Sequence, residues 1–145
     1  MAADAVYDAI RAYLEGTEST PPAWTATRIR WENEDFVKPE PPSPWIAVAL
    51  TGVVYGQQSI GAATQADNRW DEDGTLWISV FAPVGQGVSE IRALCKQLAD
   101  LFRGTTLLGG ALEFMDAAIG TNGPAAEEGN WFELLVAIDW RRMEA

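Results

Sequence analysis

The chain contains no histidine and a single cysteine, Cys95. Without histidine there is no His-based triad or general base. One cysteine rules out an internal disulfide, and the two shortages together exclude a Cys/His zinc site. Positive charge is scarce as well: 10 Lys and Arg stand against 21 Asp and Glu, a net charge of −11. Affinity for a phosphate backbone comes largely from Lys and Arg that displace counterions. Direct grip on DNA is therefore disfavoured, and so is adhesion to an anionic membrane surface. Long apolar runs are missing, since none approaches the ~20 residues that span a bilayer. The start, Met1-Ala2-Ala3-Asp4, lacks the basic region and apolar core of a signal peptide. These features point to synthesis in a reducing cytoplasm.

What is present fits one domain spanning 1–145. The hydrophobic fraction is 48% and the charged fraction 21%, ordinary values for a globular protein. A chain of this size buries roughly 70% of its unfolded surface, enough for one core without staples.

Helical spacing of Val6, Ile10, Tyr13 and Leu14 predicts a helix over 3–15, with Gly16 as its stop. Residues 28–31 form a short candidate strand. Pro39, Pro41, Pro42 and Pro44 then impose an extended loop or arm over 38–44, because proline supplies no backbone donor. Alternation predicts strands at 45–55 and 75–82, separated by a long polar loop from Gly56 to Asn68. The second of these strands carries Trp77 and Phe81 on the face opposite Leu76, Ile78 and Val80, and such a face calls for a cover. The most sharply patterned helix runs over 88–103 on the stripe Ile91, Leu94, Cys95, Leu98, Leu101 and Phe102. A strand over 111–116 with Leu112 and Phe114 inward comes next, then a Gly- and Ala-rich loop over 117–129. The last strand, 131–141, alternates Phe132, Leu134, Val136, Ile138 and Trp140 with a more polar face. The resulting fold class is α+β: a mostly antiparallel sheet of about four to five strands packed against two main helices.

Chemistry-bearing motifs are weak. Gly85-x-Gly87 between a strand and a helix resembles a phosphate-cradling turn, but the dinucleotide fingerprint wants a third glycine where Glu90 stands. The plainer reading is a strand-to-helix turn. Asp71-Glu72-Asp73-Gly74 fails as a calcium loop, because Arg69 and Val80 occupy positions that need carboxylates. It reads instead as an acidic turn before a strand. The remaining acidic groupings (Glu32, Glu34 and Asp35; Asp116; Glu127 and Glu128) lie in or beside expected loops, and nothing in the sequence raises their pKa. Cys95 falls in an apolar stripe and reads as a small core residue. No cofactor or metal is implied. Seven tryptophans are more than one small core readily buries, which favours an interface, where Trp is enriched.

The order of these pieces resembles the tail terminator-like, minor tail-completion proteins of long-tailed phages and prophages. The resemblance begins with the first helix, Ile29-Arg30-Trp31-Glu32-Asn33, Phe36 and the proline run before Trp45-Ile46-Ala47-Val48. It continues through Arg69-Trp70 and the run Gly74 to Gly87, with its strand and Pro-x-Gly-x-Gly turn. Leu101-Phe102-Arg103-Gly104 and Gly129-Asn130-Trp131-Phe132-Glu133-Leu134 complete it.

The resemblance implies a homo-oligomer: a hexameric ring that caps the tail tube, halts its polymerisation and presents a surface to the head connector or neck protein. It implies no catalytic residue or cofactor, a place in the virion tail, and DNA passing through the lumen without specific binding. An acidic lumen would suit that passage. Candidate interface residues are Gln57, Gln58, Arg69 and Trp70 on the long loop, with Trp77 and Phe81 on the aromatic strand face; the proline arm is a further means of reaching neighbours. Another neck or head-completion protein, or a small-ligand-binding domain or hydrolase using the Gly85–Gly87 turn, remain the alternative readings.

Overall fold

A computed structural model describes residues 2–40, 42–57, 70–85, 87–120, 127–128 and 131–143, with backbone alone for 2–4, 51–57, 70 and 127–128. In chain order the elements are α1 (Ala2–Glu15), β1 (Arg28–Arg30), β2 (Trp45–Gln57), β3 (Trp70–Pro83), α2 (Ser89–Phe102), β4 (Thr106–Leu107), β5 (Leu112–Ile119), β6 (Glu127–Glu128) and β7 (Trp131–Met143). They form one sheet in the order β1-β2-β3-β7-β5-β4, with β6 also paired to β7. The α+β class and the mostly antiparallel sheet match the sequence reading. The strand count is higher than four to five, because three very short strands lengthen the sheet at its ends.

Both helices cover the same face. Val6, Ile10 and Leu14 of α1 and Ile91, Cys95, Leu98 and Phe102 of α2 are buried against Ile46, Val48, Leu76, Ile78, Val80, Val136, Ile138 and Trp140. Full burial of each such aliphatic or aromatic side chain is worth roughly 1.5–3 kcal/mol before entropy is counted, so this single-sided layer holds the fold. The helices are also joined directly: the Tyr13 hydroxyl donates to the Leu101 carbonyl at 2.6 Å, and the Tyr13 and Phe102 rings meet edge to face. After α1 the chain turns at Gly16, whose φ is +80°. Ala23 and Trp24 then donate backbone hydrogen bonds to Tyr13 and Leu14.

Three boundaries differ from the sequence expectation. β1 runs parallel to β2, pairing Ile29 with Ile46, so the proline-rich 31–44 stretch is a crossover connection. β3 starts at Trp70, so Asp71-Glu72-Asp73-Gly74 is strand and not a turn. Its ladder with β7 sets Glu72 opposite Arg142 and Asp73 opposite Arg141, which neutralises a stretch whose composition disfavours strand. β5 continues through Ala117–Ile119, beyond the expected start of a loop at Ala117, because a bulge between Phe114 and Ala117 restores its register on β7. Most of the expected 56–68 loop lies outside the described residues.

Candidate assembly surfaces

The helix-free face is ordered by cross-strand register. One row reads Trp45–Phe81–Glu133, the next Ala47–Ser79–Leu135, and the third Ala49–Trp77–Ala137–Ala118. The first row is covered by the chain itself. Trp45, Phe81 and Trp131 form a second small core, with Phe36 packed on it and the Arg30 guanidinium 5.3 Å from the Trp45 ring centroid. Phe81, 3% exposed, is thus occupied inside the subunit. Trp77 is half-buried, with the small residues Ala49 and Ala137 across its two ladders. A groove of about 400 Å³ runs between it and the 30–34 turn.

The other candidate interface residues are only partly placed. Gln57 ends β2 and Trp70 begins β3, paired directly across the ladder, so the long loop leaves the sheet from one point. Gln58 and Arg69 lie outside the described residues. The tryptophan surplus has a structural outlet: Trp24, Trp31, Trp45, Trp131 and Trp140 are all at least 93% buried, because the fold builds two aromatic clusters. The composition argument for an interface therefore loses most of its support.

No site for bond-breaking chemistry takes shape among the described residues. Gly85 and Gly87 have φ of +93° and +74°, and a Cβ at either would meet nothing within 4 Å. The glycines answer to backbone angles, and no described atom comes close enough to their Cβ positions to require a bare backbone there. No three carboxylate or thiol side chains gather as a metal-binding group among the described residues. Burial pushes the Cys95 thiol up to about 11, the environment of an inert core thiol.

The edges of the sheet carry features that the sequence reading did not single out. The Glu32 carboxylate accepts the Leu50 backbone N–H at 2.6 Å, satisfying a donor on the β2 edge just past the end of β1. Asn33, with φ +54°, turns the chain there, a conformation Asn tolerates. Arg11 binds Glu34 with both terminal nitrogens, Glu15 accepts from the Trp31 indole at 2.9 Å, and these bonds fasten α1 to the 31–34 turn. The Arg11 partner holds the Glu34 carboxyl below the usual glutamate value. Outside β1 lies an open groove of about 590 Å³ floored by Trp24, Ile29 and Phe36.

A family model described as phage tail terminator protein matches residues 5–140. The chain belongs to that family. No curated relative matches this terminator. A solved structure superposes on it with a TM-score of 0.63 at 17% identity, covering 100% of this chain and 97% of that one. At that identity the likeness speaks for the fold alone. It does show that the whole terminator chain, helices and sheet together, follows an architecture already seen.

Proposed function

We propose that this protein forms a ring at the head-proximal end of the tail tube, stops tube polymerisation and offers the joining surface for the head connector. The observation that carries this reading is the family match over 5–140, which takes in α2, all of α1 beyond Asp4 and all of the sheet up to Trp140. Two physical features support it. Both described helices lie on one side of the sheet, and the opposite face, which carries Trp77, has no described helix over it. The pairing of Gln57 with Trp70 brings the two ends of the polar 58–69 segment together at one end of the β2–β3 ladder. We assign Trp77 and this end of the ladder to contacts with other subunits or with virion proteins.

In this reading the protein works by contact and not by turnover. The charge of −11 suits a lumen through which DNA slides without adhering. The host cytoplasm is where assembly takes place, and the finished ring stays in the virion tail. Deleting the coding sequence from the parent phage or prophage tests this. Overlong tails are expected, restored to normal length by the intact chain in trans. Tails of normal length that lack heads would instead make it a joining protein of the neck. Native mass spectrometry of the purified chain checks the ring order, with a six-fold species expected.

A further inference from the structure

The two ends of the sheet differ in charge: cations and carboxylates mix at one, and carboxylates stand alone on the strands of the other. At one end, Arg28 and Arg30 on β1 and Lys38 beside it enter no ion pair among the described residues. Arg28 donates to the Val37 carbonyl at 3.4 Å, and Arg30 lies over Trp45. The nearby carboxylates Glu15, Glu32 and Glu34 are engaged within the chain, which leaves Asp35 and Glu40. Three cations outside any described ion pair thus stand here beside Asp35, Glu40 and Glu32, which keeps its charge on an uncharged N–H: a margin of mixed sign. At the other end, β5 and β6 line up beside β7 and carry Glu113, Asp116, Glu127 and Glu128, with no Lys or Arg. Glu113 is set opposite Arg141, whereas Asp116 is exposed in the bulge.

Both edges are open where these charges sit. β4 pairs β5 only at Leu112 and Glu113, and among the described residues no strand pairs the outer side of 115–119. That stretch, Met-Asp-Ala-Ala-Ile, has neither the lysine nor the proline that usually guards an exposed edge. No described strand lies outside β1. Large apolar side chains are exposed at both places: Val37 at 77% beside β1, Met115 at 42% and Leu108 at 39% beside β5.

We propose that β5 of one copy adds to the β1 edge of a second copy, so that the sheets join head to tail. This rests on the ring reading above and names the surfaces that close the ring. Two β5 edges would bring carboxylates together with no cation between them, which disfavours a two-fold contact through β5. The β1 edge offers those carboxylates Arg28 and Lys38, and a heterologous contact of that kind closes into a ring when its rotation permits. Strand direction fits. β1 is parallel to β2, and the steps β2-β3-β7-β5 are each antiparallel, so β1 and β5 run in opposite senses. A rotation axis lying along the strands preserves those senses, and the new pair is antiparallel, in the column that β4 begins.

The test uses two full-length variants, Arg28→Glu with Lys38→Glu, and Asp116→Lys with Ala117→Lys. All four positions are exposed, and circular dichroism verifies that each variant folds. Association is followed by sedimentation velocity over a concentration series at low and high salt. Each variant alone is expected to associate at least tenfold more weakly than the natural chain. An equal mixture of the two recovers assembly, because their edges are complementary in alternation, and an even-numbered ring accommodates this. Rings that form unchanged in both variants overturn the edge pairing and leave the ring standing. Loss of assembly without recovery in the mixture also overturns it. A natural chain that stays monomeric at every concentration and on purified tail tubes removes the ring, and the edge contact with it.

Discussion

The Trp45 and Phe81 rings stack with centroids 4.1 Å apart and planes 14° apart, on the side of the sheet opposite α1 and α2. They are partners across the β2–β3 ladder, and Trp131 meets Trp45 edge-on at 5.9 Å. Trp45 is the centre of this second core. Trp45→Ala is expected to cost about 3–5 kcal/mol, the usual range for a buried aromatic truncated to Ala. Urea denaturation gives the value. A cost below 1 kcal/mol would show that the cluster contributes little.

Gly16 carries a conformational demand that the neighbouring chain reinforces. Its φ is +80°, and a Cβ there would lie 2.6 Å from the Pro22 backbone nitrogen and 2.8 Å from the Thr20 carbonyl oxygen. Gly16→Ala combines left-handed strain with a backbone clash, for an expected loss of about 2 kcal/mol or more. Thermal melts of both proteins in one buffer measure it, and an unchanged midpoint would contradict the turn geometry.

The Arg11–Glu34 pair sets a pH dependence of known sign. The hydrogen bond from Arg11 holds Glu34 below the ordinary glutamate value of 4.5, so its stabilising contribution is fully present above that value. It disappears as the pH falls through the lower folded value, where the carboxylate takes up its proton. Glu34→Gln should therefore resemble the natural chain at low pH and fall behind it above about 4.5. Because both partners are substantially exposed, the gap is small and shrinks in high salt. Melting curves from pH 3 to 7 decide the matter; a gap that widens towards acid would reverse the assignment.

Cys95 offers a probe of the core between α2 and the sheet. Fully buried, with its thiol raised to about 11, it should resist a thiol-reactive dye at pH 8 in the folded protein. It should label completely once urea unfolds the chain. Prompt labelling of the native protein would mean that α2 leaves the sheet readily.

The fold was largely legible where burial imposes a period. The stripe from Ile91 to Phe102 and the alternation of Leu76, Ile78 and Val80 both led to the correct elements and the correct inward face. Legibility failed where long-range partners outweigh local composition. Asp71-Glu72-Asp73-Gly74 looks like a turn until Arg141 and Arg142 are set across from it, sixty-odd residues further along the chain. The parallel β1–β2 pair was hidden for a similar reason, since nothing in Arg28–Arg30 records the direction of its partner. The aromatic count pointed outward, yet the chain spends most of those rings on its own second cluster. Of the candidate contact residues, Trp77 keeps a half-exposed place and Phe81 does not. The cations of β1 were visible as letters, but only the strand order reveals that they and the carboxylates of β5 and β6 occupy opposite margins.

The parallel β1–β2 ladder has a mechanical corollary. A hairpin at a sheet margin can peel away from its tip, one rung at a time. β1 cannot, because its return path through 31–44 is pinned twice, by Trp31 in the main core and by Phe36 on Trp45. Pulling that margin loose requires both anchors to yield together. Load applied across it meets a rivet, where an ordinary edge strand would offer a zip.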